Sequence, residues 1–367
     1  MIGGCKLGAV TYRYARATSV GAFLCHDPPC PMRMSGLTPV ARADDQSTPG
    51  TRSPFTSSSN RRSVTPSTSS AGFSDKMRIR HPFIEFYRCR STVRRRHGIL
   101  ETVDLSALAS NLATVGGVVG VVLGGSRARG THRPDSDFDL GLYYRGPLDV
   151  AALQALADGV SDEPAEVTEP GGWGPWVDGG GWLTIGGRRV DWIYRDLDRV
   201  RRVWEDCRAG RYQVSFQVGH PLGFYSHAYA GELALSRLIE DPTTELAELR
   251  AQAKAYPPAL GEALVRGLWE AEFAIRLARY GVAGADATYT AGCLFRAVGV
   301  ACHALHGRAG RWLINEKGMV AASGALPLAP AGFAADAHAL FAGPHGQVER
   351  AEALIAAVRT AVESTMD

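Results

Sequence analysis

Asp137 and Asp139 flank Phe138 inside the stretch GGSRARGTHRPDSDFDLGLYY, Gly124 to Tyr144. In an extended segment, residues two apart point to the same side with side chains roughly 7 Å apart. Both carboxylates therefore face one way, and Phe138 turns towards the core. Two like charges on one face are unfavourable unless a cation lies between them, and carboxylates that share space with phosphate oxygens suit Mg2+. One such ion, or two about 4 Å apart, would serve. Ten residues upstream, Gly124 and Gly125 allow a ligand close to the backbone, and Ser126 offers a hydroxyl and an amide at the start of a short helix, where an anion is favoured. The chain returns from that turn to the next strand, so the phosphate cradle and the carboxylates should meet at neighbouring strand ends.

A third carboxylate is available downstream. Asp191 lies in RRVDWIYRD, an extended segment with apolar Val190 and Trp192 on either side. Its competitors fit other roles: Asp178 sits in a glycine loop, Asp196 and Asp198 open a helix, and Asp135 is framed by Pro134 and Ser136 as a turn residue. Arg127, Arg129 and Arg133 either steer phosphates or are solvated. Trp173, Trp176 and Trp182, in and beside GGWGPWVDGGG, either contact a ligand ring or fold back over the domain. His220, Tyr225 and His227 read as packing residues.

The elements that must position these residues follow from periodicity. Leu105, Leu108 and Leu112 recur at helical spacing, VVGVVLGG reads as a buried strand entering a glycine turn, and DFDLGLYY is the next strand. PLDVAALQALADG is a helix with Pro147 near its first turn, and Gly186-Gly187 joins WLTIGG to RRVDWIYRD as a hairpin. From Pro221 onward HAYAGELALSRLIED, ALGEALVRGLWEAEFAIRLARYG, TAGCLFRAVGVACHALHG and QVERAEALIAAVRTAVEST all read as helices. Gly281 and Gly307 stand where helices would stop, and Leu260, Leu264, Leu268, Ala271 and Ile275 form a core stripe. The fold class expected is α+β, a mixed sheet with helices over residues 99–220 followed by a helical bundle over 221–367.

Residues 1–98 differ in kind. They carry 16 Lys and Arg against 5 Asp and Glu, whereas Ile99 to Asp367 carries 24 against 32. Ser35 to Ser74 is rich in Ser, Thr, Pro and Arg, a composition that cannot bury enough apolar surface to fold. A disordered basic extension is expected there, best explained as a start placed too far upstream in a GC-rich bacterial gene. RCRSTVRRRHG is a solvated basic run. The acidic remainder disfavours nucleic acid as the main partner but leaves room for a small ligand delivered with bound metal. Seven cysteines in an irregular pattern imply no disulfide framework and fit a reducing cytoplasm. No apolar run reaches the roughly 20 residues of a membrane span.

Gly-Gly-Ser, ten residues, then Asp-Phe-Asp resembles the signature of the nucleotidyltransferase superfamily typified by DNA polymerase beta. It looks closest to bacterial nucleotidyltransferase-domain proteins related to the aminoglycoside adenylyltransferases, which follow this domain with a helical one. The resemblance implies that Gly124, Gly125, Ser126 and Arg127 hold the triphosphate of an NTP, ATP above all, and that Asp137 and Asp139 ligate Mg2+. Asp191 would complete the metal site or take the proton of the acceptor hydroxyl. In RWLINEKGMVAASGALP, Lys317 matches a lysine that contacts the triphosphate in the streptomycin and spectinomycin enzymes, although the tryptophan of that pattern is missing. The implied activity is transfer of a nucleoside monophosphate to a hydroxyl of a small molecule, an aminoglycoside-like one among the candidates. An antitoxin-type nucleotidyltransferase acting on or binding a partner protein, and a nucleotide-binding module without turnover, are the rival readings.

Overall fold

The computed structural model describes residues 103–343 and 346–364. The basic extension at 1–98, its RCRSTVRRRHG run and Cys5, Cys25, Cys30 and Cys89 lie outside the described residues. Asp104 caps the first helix, α1 (Leu105–Ala113), by accepting from the amides of Ser106 and Ala107, and Leu108 and Leu112 are buried on its inner side. Strand β1 (Val118–Leu123), the short helix α2 (Gly125–Ala128) and strand β2 (Phe138–Tyr144) follow. Helix α3 (Val150–Val160) is capped by Asp149, whose carboxylate accepts from the Ala152 amide. Strands β3 (Gly180–Ile185) and β4 (Arg188–Asp196) form the expected hairpin, with Gly186 and Gly187 both at positive φ, +58° and +70°, as a two-residue turn between twisted strands requires. Asp196 then caps α4 (Leu197–Arg208).

The chain continues through β5 (Val214–Gln217), β6 (His220–Tyr225), α5 (Ala228–Leu235) and β7 (Arg237–Glu240). The helices that follow are α6 (Glu245–Ala253), α7 (Pro258–Arg266), α8 (Trp269–Ala283), α9 (Ala287–Arg308), α10 (Met319–Gly324), α11 (Phe333–Ala339) and α12 (Gln347–Glu363). The main sheet has the order β3-β4-β2-β1-β7, with β2 and β4 parallel and the other neighbours antiparallel. On β2 the side chains of Leu140, Leu142 and Tyr144 enter one core together with α1 and α3, and Trp192 and Tyr194 of β4 join them. Tyr143, pointing the other way, packs into the second core, which runs through α4, α5 and the later helices. Strand periodicity thus gives the sheet one closed face and one face that carries chemistry.

Four expectations need correction. The segment around GHPLGFY forms a separate β5-β6 hairpin rather than leading directly into a helix, and Ser215↔Phe224 pairing holds it. HAYAGELALSRLIED is a helix only as far as Leu235. Arg237 to Glu240 then pairs antiparallel with β1 as the sheet's fifth strand, so cross-strand bonding overrides the helical spacing of its few apolar residues. The third correction concerns the stripe from Leu260 to Ile275, which is buried as expected but spans two helices. The break falls at Gly267, where a side chain would press on the Tyr212 hydroxyl. Finally, Gly281 and Gly307 lie inside α8 and α9 rather than beyond their ends. A Cβ on Gly281 would collide with Thr290 of α9, and one on Gly307 would meet Leu264 and the Gly261 carbonyl of α7. Both glycines let helix backbones approach, and neither terminates a helix.

Three imidazoles are buried in the helical core: His227, which precedes α5, and His303 and His306 of α9. The His303 ring stacks on Tyr225 at 3.6 Å, and His227 lies 5.2 Å from His303. Burial lowers all three imidazoles, His227 to about 3 and His306 to about 4. A histidine kept neutral in the fold contributes stability that is present above its unfolded value of about 6.5 and is lost as pH falls towards the folded value. Relative to a His306→Leu variant, the wild-type protein is therefore expected to lose up to about 1.4 kcal/mol per pH unit between pH 6.5 and pH 4. Denaturant melts across that range test this, and a difference that does not change with pH contradicts it.

Candidate active site

The turn after β1 is fastened to β2 by its backbone. The Gly124 amide donates to the Asp139 carbonyl at 2.7 Å. Gly125 has φ +60°, and a Cβ there would overlap the Asp139 carboxylate, so only glycine fits between turn and acid. Asp137 immediately precedes β2, and Asp139 is its second residue. The parallel pairing of β2 with β4 sets Asp139 directly beside Asp191, and paired residues in a ladder face the same side. A cleft of about 450 Å³ opens over that face, lined by Gly124, Gly125 and Ser126, by Asp137 and Asp139, and by Arg189 and Arg195 of β4. Glu232 of α5 and Lys317, from the segment after α9, close it from the helical side.

The three carboxylates interact electrostatically. Burial raises Asp191 to about 7, with further contributions from Asp139 and Asp137 that Arg189 opposes. Asp139 is also raised, by burial first and by Asp137 next, while Arg129 and Lys317 pull it down. Burial, more than any excess of negative charge, thus sets these shifts, since five cations (Arg129, Arg133, Arg189, Arg195 and Lys317) line the same cleft. As the side chains stand, no three Asp, Glu, His or Cys residues among the described residues converge closely enough to hold a metal ion. Asp137 is instead paired with Arg189 at 2.5 Å. The donor set is all carboxylate oxygen, and Asp137 Oδ1 is buried without a hydrogen-bond partner, so the residues fit Mg2+ chemically.

Not every sequence candidate lies in the cleft. Arg127 turns to the loop it helps build, donating to the carbonyls of Ser136 and Asp137 and lying over the Phe138 ring at 3.8 Å. Arg129 and Arg133 line the cleft instead. Asp178 is buried and accepts from the Tyr144 hydroxyl at 2.7 Å, and Tyr144 faces the closed core. Asp135 pairs with Arg133 in the turn. His220 contacts Glu316 at 3.1 Å, and His227 is buried.

The tryptophans divide. Trp176 packs on Phe224 and Tyr229, whereas Trp173 stacks on Trp182 with ring centroids 4.4 Å apart. Gln217 fixes the loop, donating to the Trp173 carbonyl and accepting from the amides of Trp176 and Val177. Trp182 is opposite Asp191 in the β3-β4 ladder and is 55% exposed. Trp182, Asp191 and Asp139 thus form one row across three strands.

Sequence reasoning missed the ion pair between Arg195 and Glu232, which is bidentate at 2.7 and 2.9 Å. Arg195 is only 5% exposed and also lies by the Tyr229 ring. Period two from Asp191 would have placed Arg195 on the cleft face; nothing local marked Glu232 as its partner.

With this geometry in view, the comparisons with known proteins are informative. Residues 105–170 match the family model described as the nucleotidyltransferase domain. That segment contains the glycine turn, Asp137 and Asp139, and the match supports nucleotidyl transfer as the general activity. No curated protein matches the chain. Among solved structures, a nucleotidyltransferase-like protein from Exiguobacterium sibiricum is 10% identical, with a TM-score of 0.37, over 70% of this chain and 73% of that one. No helix among the described residues is long and apolar enough to cross a membrane.

Gly125→Ala tests the turn. The added methyl must displace either the Asp139 carboxylate or the turn, and misplacement on the order of 1 Å can cost about 100-fold in rate. Nucleotidyl transfer is expected to fall by about that factor, while the melting temperature drops by only a few degrees. Full activity in this variant would show that the turn and Asp139 need not touch.

Proposed function

We propose that the protein is a Mg2+-dependent nucleotidyltransferase that moves a nucleoside monophosphate from an NTP, with ATP as the expected donor, to a hydroxyl of a small molecule. The observation that carries this reading is the pairing of Asp139 with Asp191 in the β2-β4 ladder, next to a cleft lined by Asp137, Asp139 and the Gly124–Ser126 turn. Asp137, Asp139 and Asp191 would hold the ion, which when bound supplies charge neutralisation at the phosphates. Gly124, Gly125 and Ser126 would seat the triphosphate against the backbone, and Lys317 would approach it from the helical side. Arg129 lines the cleft and suits this role better than Arg127, which is spent on its own loop.

The acceptor oxygen forms a bond to the α-phosphorus as the bond to pyrophosphate breaks, and its proton passes to a carboxylate. Asp191, whose pKa burial raises to about 7, would complete the metal site or receive that proton. Positioning and charge compensation are most of what such a transfer requires of a protein. The volume of the cleft suits a small ligand, an aminoglycoside-like compound among the candidates, and the acidic charge of residues 99–367 argues against a polynucleotide acceptor. The exposed ring of Trp182, one strand beyond Asp191, offers a flat apolar surface to a ring carried by the acceptor.

Incubation with ATP labelled in its α-phosphate, Mg2+ and a panel of aminoglycosides, metabolites and cell-extract fractions tests the activity. Label transfer is expected with wild type and to fall at least about 1000-fold with Asp139→Asn, in line with loss of a group acting on the transition state. Transfer that survives this substitution refutes the mechanism. Once an acceptor is found, Trp182→Ala is expected to raise its KM about tenfold, the cost of a lost stacking contact of about 1.4 kcal/mol, and to leave the KM for ATP unchanged. An equal rise in both would place the ring outside the acceptor site.

A further inference from the structure

The ion pair between Arg189 and Asp137 is built differently from the Arg195–Glu232 pair of the same cleft. We infer that Arg189 is an exchangeable counter-cation: it holds Asp137 in the free enzyme and releases it to an incoming divalent ion, swinging to the phosphates of the bound nucleotide. The inference rests on the metal role proposed above.

The strand register creates the pair. Phe138 is opposite Val190 and Asp139 is opposite Asp191, so Arg189 comes up beside Asp137 one step earlier on the ladder. The Asp137 Oδ1 atom is buried and has no hydrogen bond of good geometry, even though an Arg189 nitrogen is 2.5 Å away. The contact is therefore a charge pair with poor directionality, and it leaves Asp137 only partly satisfied. The Arg189 side chain is 68% exposed, and ion pairs with an exposed member add little stability. Arg195 is the contrast, being buried, bidentate on Glu232 and further tied to the Tyr194 carbonyl. One arginine is fixed and the other can leave.

A divalent ion brings twice the charge of a guanidinium to the same oxygen. The displaced guanidinium lines the same cleft as the Gly125–Ser126 turn, and its planar donor fork matches phosphate geometry.

Mn2+ binding read by electron paramagnetic resonance, in the absence of nucleotide, tests this in wild type, Arg189→Gln and Arg129→Gln. Arg129 lines the cleft and acts on Asp139 only through space, so its removal reports the effect of deleting one positive charge. Arg189→Gln is expected to tighten Mn2+ binding about tenfold or more, and Arg129→Gln no more than about threefold. The affinity of the Mn2+ complex of α,β-methylene-ATP should fall severalfold in Arg189→Gln. Equal Mn2+ affinity in wild type and Arg189→Gln overturns the exchange, and so does an equal gain in both variants. Absence of Mn2+ binding in all three folded proteins would instead overturn the metal reading on which the exchange rests.

Discussion

Everything in the cleft depends on the repulsion among three partly buried carboxylates. Burial raises the pKa of Asp139 and Asp191, the charge of Asp137 raises both further, and Asp139 adds to the effect at Asp191. Hydrophobic packing alone would never gather these groups, since desolvating a carboxylate beside another is costly without compensation. The fold imposes the arrangement through backbone bonding. The parallel β2-β4 ladder fixes Asp139 against Asp191, and the Gly124 amide fixes the turn against Asp139. Hydrogen bonds that the strands make in any case thereby hold side chains that would otherwise separate.

The rest of the molecule stiffens that arrangement from two sides. Below the sheet, Leu140, Leu142, Trp192 and Tyr194 pack against α1 and α3, so β2 and β4 cannot slip without exposing an entire core face. Above it, the buried Arg195 joins β4 to α5 through Glu232, and Tyr143 of β2 packs in the same helical core. Glu232 and Lys317 thus reach the cleft from the helical side at positions set by helix packing. One of them adds to the negative charge at Asp139 and the other reduces it.

Local elements were easier to read in the sequence than the topology. Period-two alternation in DFDLGLYY, the paired glycines at 186 and 187, and the helix-opening Asp196 act within a few residues, and all appear in the fold. The Asp191 strand was legible because RRVDWIYRD alternates along its length. Strand β7 was not, because RLIE is too short for a pattern and owes its extended form to β1. The same holds for Gln217, whose side chain locks a loop some 40 residues earlier, and for the Arg195–Glu232 pair. Their partners are selected by tertiary packing, which leaves no local periodicity. Arg127 shows the opposite failure: its position beside Ser126 suggested a phosphate contact, but two backbone carbonyls and an aromatic face compete for the same guanidinium.

That competition bears on how the cleft can accept different ligands on its two sides. The turn side is crowded: Gly125 leaves no room for even a methyl group, and Asp139 abuts it. A ligand there must be met by backbone, which suits a triphosphate whose shape does not vary. On the β3 side, Trp182 stacks on Trp173, whose loop is fastened to the β5-β6 hairpin, and stays largely exposed. Aromatic surface recognises a flat apolar face without dictating the substituents around it. The clustered carboxylates and the exposed tryptophan are therefore carried by different strands. An outward-facing substitution at Trp182 leaves the β2-β4 register, on which the carboxylates depend, to the backbone bonds of that ladder.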